Sequence, residues 1–146
     1  MSVARLPVAA PLLSLRRVSK IYGEGAGAVA AVVDVDLDLL PGEFTLLMGP
    51  SGSGKTTLLM IMGCLLKPTS GTVAVGGAEV QDLPEHALPA VRLRHLGYIF
   101  QGFNLFPALT ASENVEVALD LKGIRGRPAR EAAARHLDRI GLGHRL

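Results

Sequence analysis

The residues best suited to chemistry in this chain form one short run, residues 49–57. The run reads Gly49, Pro50, Ser51, Gly52, Ser53, Gly54, Lys55, Thr56 and Thr57, and it satisfies the pattern G-x-x-x-x-G-K-[ST]. Glycines at these positions let backbone N–H groups turn inward around a phosphate. The lysine can then reach the β- and γ-oxygens, and the next hydroxyl can complete a Mg²⁺ shell. The run therefore predicts a loop that binds a nucleotide together with Mg²⁺.

The segments on either side of this loop predict the elements that must position it. Residues 43–48, EFTLLM, form a nearly continuous apolar run, which is typical of a strand covered on both faces in a parallel sheet. Residues 55–62 are mostly helix formers, and Gly63 follows them as a terminator. A phosphate in the loop would lie at a helix N-terminus, where unpaired N–H groups and the helix dipole favour an anion.

Composition narrows the class of protein. The chain has 146 residues, 49% of them hydrophobic, and a net charge of +2, which favours one packed α/β domain. Two tyrosines, four phenylalanines and no nucleic-acid reading motif argue against a nucleic-acid partner. Cys64 is the single cysteine, which excludes an internal disulfide and favours a reducing, cytoplasmic setting. No run reaches the roughly 18 to 20 apolar residues of a membrane span, so a membrane connection would come through a partner.

The first third of the chain predicts antiparallel strands. Residues 13–18 and 32–39 are strand candidates, and residues 72–75 continue through Gly76-Gly77 into a short hairpin strand. Along the second candidate, four apolar residues alternate with three acids. The apolar set is Val33, Val35, Leu37 and Leu39, and the acids are Asp34, Asp36 and Asp38. This period of two predicts one buried and one solvated face rather than a metal site.

The rest of the chain predicts mainly helices. Residues 84–94 favour a helix that Pro89 should break or kink, and residues 96–100 favour a strand. Thr110 and Glu113 match a capping box that opens a helix to about residue 121. Residues 128–140 predict the last helix. We expect its buried face to comprise Ala133, Leu137 and Ile140, and Glu131 to pair with Arg135.

A second segment, residues 98–107, gives the chain a family resemblance. It reads YIFQGFNLFP, and its glutamine directly follows the strand predicted at residues 96–100, a few tens of residues beyond the phosphate loop. The chain resembles the nucleotide-binding subunit of ATP-binding cassette (ABC) transporters, in which a glutamine stands at the place of Gln101. The similar runs are residues 19–23 (SKIYG), 40–44 (LPGEF), 67–71 (KPTSG) and 109–115 (LTASENV). Among the branches of the family, the wording is most similar to the lipoprotein-release, macrolide-exporter and heterocyst-glycolipid-exporter type.

The resemblance implies a fold and a division of the chain. The fold is α/β, a P-loop NTPase with a parallel core sheet and an N-terminal antiparallel β lobe. Residues 12–146 would form part of the ATP-binding domain, and residues 1–11 a loose segment ahead of it.

The resemblance also implies roles for individual residues. ATP would stack its adenine on Tyr22, unless Tyr22 is only a surface tyrosine. Lys55 and Gln101 would act in catalysis, Thr56 and Gln101 would contact Mg²⁺, and Thr57 would bond the α-phosphate. The apolar residues after Gln101 would lie near the groove that receives a helix of the membrane permease, with core packing as the alternative. These residues are Phe103, Leu105 and Phe106.

Three segments that the family uses for hydrolysis do not occur in this sequence. They are a Leu-Ser-Gly-Gly-Gln signature, a strand ending in Asp-Glu and a switch histidine. We therefore expect the chain to be the N-terminal portion of the fold and to hydrolyse ATP poorly by itself. The complete subunit would be an ATPase that dimerises head to tail and drives a membrane permease from the inner face of the plasma membrane.

Two other readings remain open from the sequence alone. A short nucleotide-binding or regulatory module would bind ATP without turnover. A P-loop kinase would need an acceptor pocket and a lid, while a GTPase would need an Asn-Lys-x-Asp segment, which this sequence lacks.

Overall fold

The computed structural model describes residues 10–145, and the chain divides into two compact units between Gly97 and Tyr98. Residues 1–9, most of the segment expected to be loose, lie outside the described residues. The first unit holds an antiparallel sheet and two helices. Its elements are β1 (Leu13–Tyr22), β2 (Val29–Leu39), α1 (Lys55–Met62), β3 (Ser70–Val75), β4 (Ala78–Glu79) and α2 (Leu88–His95), with 3-10 turns at Gly25–Gly27 and Glu85–Ala87.

The four strands lie in the order β2-β1-β3-β4, and every neighbouring pair is antiparallel. This confirms the predicted N-terminal β lobe and the hairpin at Gly76-Gly77. Both central strands are longer than the sequence predicted, because the polar residues at their ends still pair with a neighbouring strand. Tyr22 at the end of β1, for example, pairs with Val29 at the start of β2.

The pairing of β1 with β2 contains three register shifts, and Arg17 and Asp34 lie at the first two. Both residues have positive φ angles, 48° and 50°, and the strand register shifts on either side of Val18. An extra residue on one strand reverses the inside-outside alternation beyond it. Val32 is therefore buried, and Val33, predicted to face the core, is 66% exposed.

Beyond this bulge the predicted alternation holds. Val35, Leu37 and Leu39 pack against the core, while the intervening aspartates are exposed. The Asp38 carboxylate accepts two hydrogen bonds from Arg16, at 2.7 and 2.8 Å, and Asp36 accepts one from the Arg17 N–H at 2.8 Å. No group of three or more metal-ligating side chains occurs in residues 10–145. These contacts support a solvated acidic face that fixes the strand pairing.

Helix α1 covers one face of this sheet. Its inward residues Leu58 and Ile61 are 7% and 1% exposed, and Cys64 follows at 4%. Burial raises the pKa of the Cys64 thiol, while the nearby Arg92 guanidinium partly lowers it. The strand residues that complete this core are Leu13, Leu15, Val18, Val32, Val73 and Val75. Cys64 therefore packs as a small hydrophobe.

Pro89 starts helix α2 instead of breaking a helix. The preceding 3-10 turn ends at Ala87, and Pro89 lies in the first turn of α2, where no intrahelical N–H bond is lost. Leu88 is buried in the core of the first unit, at 8% exposure. At the other end of α2, the side chain of Arg92 donates to the Cys64 carbonyl at 2.8 Å, which fastens α2 to the end of α1.

The two segments expected to be parallel strands are not strands in this structure. Residues 43–48 and 96–100 have no ladder partner, and their apolar side chains are largely exposed. Phe44 is 89% exposed, Met48 78% and Ile99 97%. A strand of this kind needs a neighbour on each side to satisfy its backbone groups, and residues 10–145 supply none. The apolar pattern predicts strands at these segments, but a hydrogen-bonded ladder forms only where neighbouring strands are present.

The second unit is a helical pair, α3 (Ala111–Leu121) and α4 (Arg127–Arg139), followed by a 3-10 turn at Gly143–Arg145. The predicted capping box is confirmed. The Glu113 N–H donates to Thr110 Oγ1 at 3.2 Å, and the Thr110 N–H donates to Glu113 Oε2 at 2.7 Å. These paired bonds fix the residue at which α3 begins.

Helix α4 begins and ends one residue earlier than predicted. Ala133 and Leu137 are buried as expected, at 0% and 5% exposure, but Ile140 is 69% exposed because it lies just past the last helical turn. Glu131 pairs with Arg127 at 2.7 Å, not with the predicted Arg135.

Candidate nucleotide-binding site

The predicted phosphate loop turns directly into helix α1. Gly52 and Gly54 have φ angles of 81° and 84°, a region that side chains other than hydrogen rarely occupy. Gly54 also lies against the sheet, since a Cβ added there would stand 2.0 Å from the carbonyl oxygen of Ala31 in β2. Glycine at this position is therefore required both by the turn and by the close approach of the loop to β2.

The Lys55 ammonium lies inside the loop. Its Nζ donates to the carbonyl oxygens of Gly49 and Pro50 at 2.7 and 2.6 Å and to Ser53 Oγ at 3.3 Å. Three loop oxygens therefore hold one positive charge at the centre of the turn. An anion that enters the loop meets a cation already placed there by the backbone.

The N-terminus of α1 opens onto the same loop. The first intrahelical bond runs from the Leu58 N–H to the Gly54 carbonyl at 2.8 Å, so the N–H groups of residues 55–57 precede the helical ladder. A cavity of about 500 Å³ lies here, lined by Ala31 and residues 51–57. Thr56 is exposed at it and Thr57 is half-buried. Helix N–H groups, glycines and an ammonium group fit a phosphate chain, and the Thr56 hydroxyl suits Mg²⁺.

Tyr22 is the last residue of β1, and β1 pairs with β2, the strand against which the phosphate loop packs. It lies opposite Val29, two residues along β2 from Ala31, which touches Gly54. Strand spacing puts the Tyr22 backbone within about 10 Å of the Ala31 backbone. The Tyr22 side chain is 43% exposed. The structure thus brings an accessible aromatic ring to the edge of the unit that carries the loop, and its contact with adenine stays a prediction.

Sequence reasoning missed the residue that holds this ring. Lys20 Nζ lies 5.4 Å from the Tyr22 ring centroid and donates to the Lys67 carbonyl at 2.9 Å. Thr69 holds the intervening residue, because its Oγ1 accepts from the Ile21 N–H at 3.0 Å. The signal available from sequence was the i,i+2 spacing of Lys20 and Tyr22 on a strand, but Lys67 and Thr69 come from a distant loop.

Gln101 belongs to the second unit, so its predicted place beside Mg²⁺ stays a prediction. It is exposed and lines a cavity of about 810 Å³ with neighbouring residues of the segment 98–106 and with α3. The three apolar residues that follow it are exposed too, with Phe103 at 92%, Leu105 at 62% and Phe106 at 56%. Their packing into a core, the alternative left open by the sequence, does not occur in this structure.

Asn114 organises this exposed segment and was not singled out from the sequence. Its Oδ1 accepts from the Phe106 N–H at 2.8 Å, and its Nδ2 donates to the carbonyls of Phe106, Leu109 and Thr110 at 3.2, 3.1 and 2.9 Å. One side chain therefore ties the loop before α3 to the first turn of the helix.

Comparison with known proteins decides the family. The family model described as ABC transporter matches residues 32–146, which include the phosphate loop and Gln101. This chain belongs to the ABC transporter family. It is 42% identical over 135 residues to an uncharacterized ABC transporter ATP-binding protein of Thermotoga maritima, covering 92% of this chain and 58% of that protein. It is 40% identical to the ABC transporter ATP-binding protein YknY of Bacillus subtilis, covering 92% and 59%.

The chain also matches larger ABC proteins. It is 41% identical over 136 residues to the macrolide export ATP-binding/permease protein MacB of Marinobacter nauticus, covering 93% of this chain and 21% of that protein. The chain thus spans less than two thirds of the length of these curated relatives. The predicted resemblance to the ATP-binding subunits of this family, including the macrolide-exporter type, is confirmed.

A solved structure confirms the ABC cassette fold. The ATP-binding cassette MJ0796, in a dimeric post-hydrolysis state bound to ADP and Pi, superposes with a TM-score of 0.80 at 42% identity, covering 86% of this chain and 56% of that chain. Among residues 10–145, no helix has the length and apolar character of a membrane span.

Proposed function

We propose that this ABC family chain binds ATP with Mg²⁺ and contributes that binding to an ABC transporter subunit. The observation that carries the proposal is the Lys55 ammonium, centred in a glycine loop at the start of α1 by Gly49, Pro50 and Ser53. An ammonium group held by two backbone carbonyls and one hydroxyl is ready to exchange those contacts for phosphate oxygens. The identity of the relatives and the ADP and Pi bound to MJ0796 support the same ligand class.

We assign roles to residues of the loop and to two residues outside it, Tyr22 and Gln101. The N–H groups of residues 52–57 and the Lys55 ammonium would bind the phosphate chain, with Thr57 near the α-phosphate and Tyr22 under the adenine. Thr56, with Gln101 from the second unit, would hold Mg²⁺. The metal would neutralise charge on the β- and γ-oxygens when bound. Lys55 and Gln101 are the residues to which we assign the catalytic roles.

The complete subunit would couple ATP to a membrane permease. Several relatives are fused ATP-binding/permease proteins, and MJ0796 is dimeric. We assign permease docking to the exposed apolar residues Phe103, Leu105 and Phe106, and Asn114 holds the backbone of Phe106. Such a subunit would act as an ATPase, pair with a second copy, and lie on the inner face of the plasma membrane through its permease, exporting or extracting a substrate.

The test of the binding proposal is a titration of the chain with ATP in the presence and absence of Mg²⁺. Lys55→Ala should weaken binding by about ten- to a hundredfold, because a charge-assisted contact to phosphate is lost. Lys67→Ala is the matched control. It removes the same charge, but the Lys67 ammonium donates to the Leu83 carbonyl outside the loop.

The outcomes separate the candidate functions. Binding that Lys55→Ala weakens and Lys67→Ala leaves intact supports the proposal. ATP retention without phosphate release, in the longest subunit that the gene encodes, would instead indicate a nucleotide-binding module without turnover. No ATP binding by folded wild-type chain would overturn the proposal.

A further inference from the structure

The side chain of Lys20 lies between two parts of the first unit. It projects from β1 two residues before Tyr22, and its ammonium is 5.4 Å from the centroid of the Tyr22 ring. The same ammonium donates at 2.9 Å to the Lys67 carbonyl in the loop that follows α1. Lys20 is half-buried, so this charge is partly withdrawn from water. The Lys20 ammonium therefore contacts both the Tyr22 ring and the loop that follows α1.

The main chain beside the ring is held by the same loop. Thr69 N–H donates to the Ser19 carbonyl at 2.8 Å, and Thr69 Oγ1 accepts from the Ile21 N–H and donates to the Ile21 carbonyl, at 3.0 and 3.3 Å. Backbone contacts thus fix where β1 ends. They act on the main chain, whereas the Lys20 ammonium lies over the Tyr22 ring itself.

We propose that Lys20 is a positioning residue that fixes the Tyr22 ring for a purine base. The inference rests on the proposed ATP binding and extends it to the base. A cation on one face of an aromatic ring is attracted by the ring quadrupole, which limits the ring to orientations that keep this contact. The base would stack on the opposite face of this side chain, which is 43% exposed. Preorganising one side chain in this way lowers the entropy lost on stacking.

The role of Lys20 predicts a selective effect on ligands. Removing the ammonium should weaken ligands that carry a base and leave the phosphate contacts unchanged, because Lys55 and the loop amides lie elsewhere. A general loss of structure would weaken both. Inorganic tripolyphosphate is the probe that separates the two cases, since it fits the phosphate loop without a base to stack.

The experiment titrates wild type, Lys20→Met and Lys67→Met with Mg²⁺-ATP and with Mg²⁺-tripolyphosphate by calorimetry. Lys20→Met should bind ATP about two- to fivefold more weakly and tripolyphosphate as tightly as wild type. Lys67→Met is the matched control, because its half-buried ammonium also donates to a backbone carbonyl, that of Leu83. It should leave the ratio of the two affinities unchanged.

Tyr22→Ala completes a double-mutant cycle. If Lys20 acts through the ring, Lys20→Met should cause no further loss of ATP affinity in the Tyr22→Ala background. Equal losses for ATP and tripolyphosphate, or a full Lys20 effect without the ring, would overturn this inference while leaving the proposed function standing. Failure of wild type to bind either ligand would overturn the proposed function itself.

Discussion

Gly54 is the residue at which the phosphate loop, strand β2 and helix α1 meet. Two separate constraints act on it. Its φ angle of 84° is a left-handed conformation, and a Cβ added to it would lie 2.0 Å from the Ala31 carbonyl oxygen. Only the left-handed conformation constrains Gly52, because its φ is 81° and a Cβ added to it would meet nothing within 4 Å. Comparing substitutions at Gly52 and Gly54 therefore separates the free-energy cost of a left-handed φ angle from the cost of a steric clash with the Ala31 carbonyl.

Gly54→Ala should destabilise the first unit more than Gly52→Ala. We expect a loss of about 1–2 kcal/mol for Gly52→Ala, from backbone strain, and a clearly larger loss for Gly54→Ala, because Ala31 or the loop must also move. Urea unfolding of the ligand-free chain measures both. Equal losses would show that the loop relaxes away from β2 at little cost.

Residue-level prediction succeeded where the signal is local. The phosphate loop is encoded by nine consecutive residues, and its glycine turn and helix start are found where the pattern placed them. Lys20 and Asn114 were missed because their partners do not lie beside them in sequence or are backbone carbonyls, which carry no residue identity. Val33 was misassigned because a bulge at Asp34 inverts the strand phase, and no pattern of residue types revealed it.

Helix α3 depends on a reciprocal pair of bonds at its first turn. Hydrogen bonds donated by the Thr110 N–H and the Thr110 side chain lower the pKa of the Glu113 carboxyl. A carboxyl whose pKa is lower in the native state stabilises that state above its unfolded pKa, near 4.3, and loses this effect as the pH falls through the native pKa. The stability of α3 therefore has an acid-sensitive component at Glu113.

Glu113→Gln should reduce the difference in stability between pH 7 and pH 3. Glutamine can still accept from the Thr110 N–H, but it carries no charge to lose on acidification. Unfolding followed by far-UV circular dichroism at both pH values measures the change. Glu116→Gln, which removes a carboxylate from the next turn of α3, is the matched control. A larger effect from Glu116→Gln than from Glu113→Gln would contradict the assignment.

At the level of elements, the structures that form from local contacts were predicted correctly, whereas the strands that need distant partners were not. The capping box, the β3-β4 hairpin and α1 form from contacts within a few residues, and all are present. Residues 43–48 and 96–100 have the composition of buried strands, but composition does not supply the neighbouring strands that a parallel ladder needs. The family fold was predicted correctly, whereas these two strands are not formed in this chain.

The whole molecule exposes an unusual amount of large apolar surface. Phe44, Met48, Ile99 and Phe103 are each at least 78% exposed. Soluble monomers seldom carry extended apolar surface that has no partner. The 146-residue chain should therefore self-associate as its concentration rises and enhance the fluorescence of a hydrophobic dye.

Phe44→Ser combined with Ile99→Ser should reduce both self-association and dye fluorescence. Light scattering over a concentration series measures the first and a dye titration the second. Val33→Ser, which removes a single exposed side chain from the formed sheet, serves as the control and should change little. A wild-type chain that remains monodisperse at high concentration and gives no dye signal would contradict the expectation.

The rate at which the buried Cys64 thiol is alkylated reports how often the first unit opens. Cys64 is 4% exposed, and burial holds its pKa above the ordinary value, so the folded chain presents almost no thiolate to an alkylating reagent. Labelling by iodoacetamide should follow transient separation of α1 from the sheet and should slow when Mg²⁺-ATP is added. Because the thiol pKa is raised in the native state, stability should also decline as the pH climbs past about 8.5, the unfolded value. Mass spectrometry of the alkylated fraction against time would measure the first effect, and urea unfolding over the same pH range would measure the second.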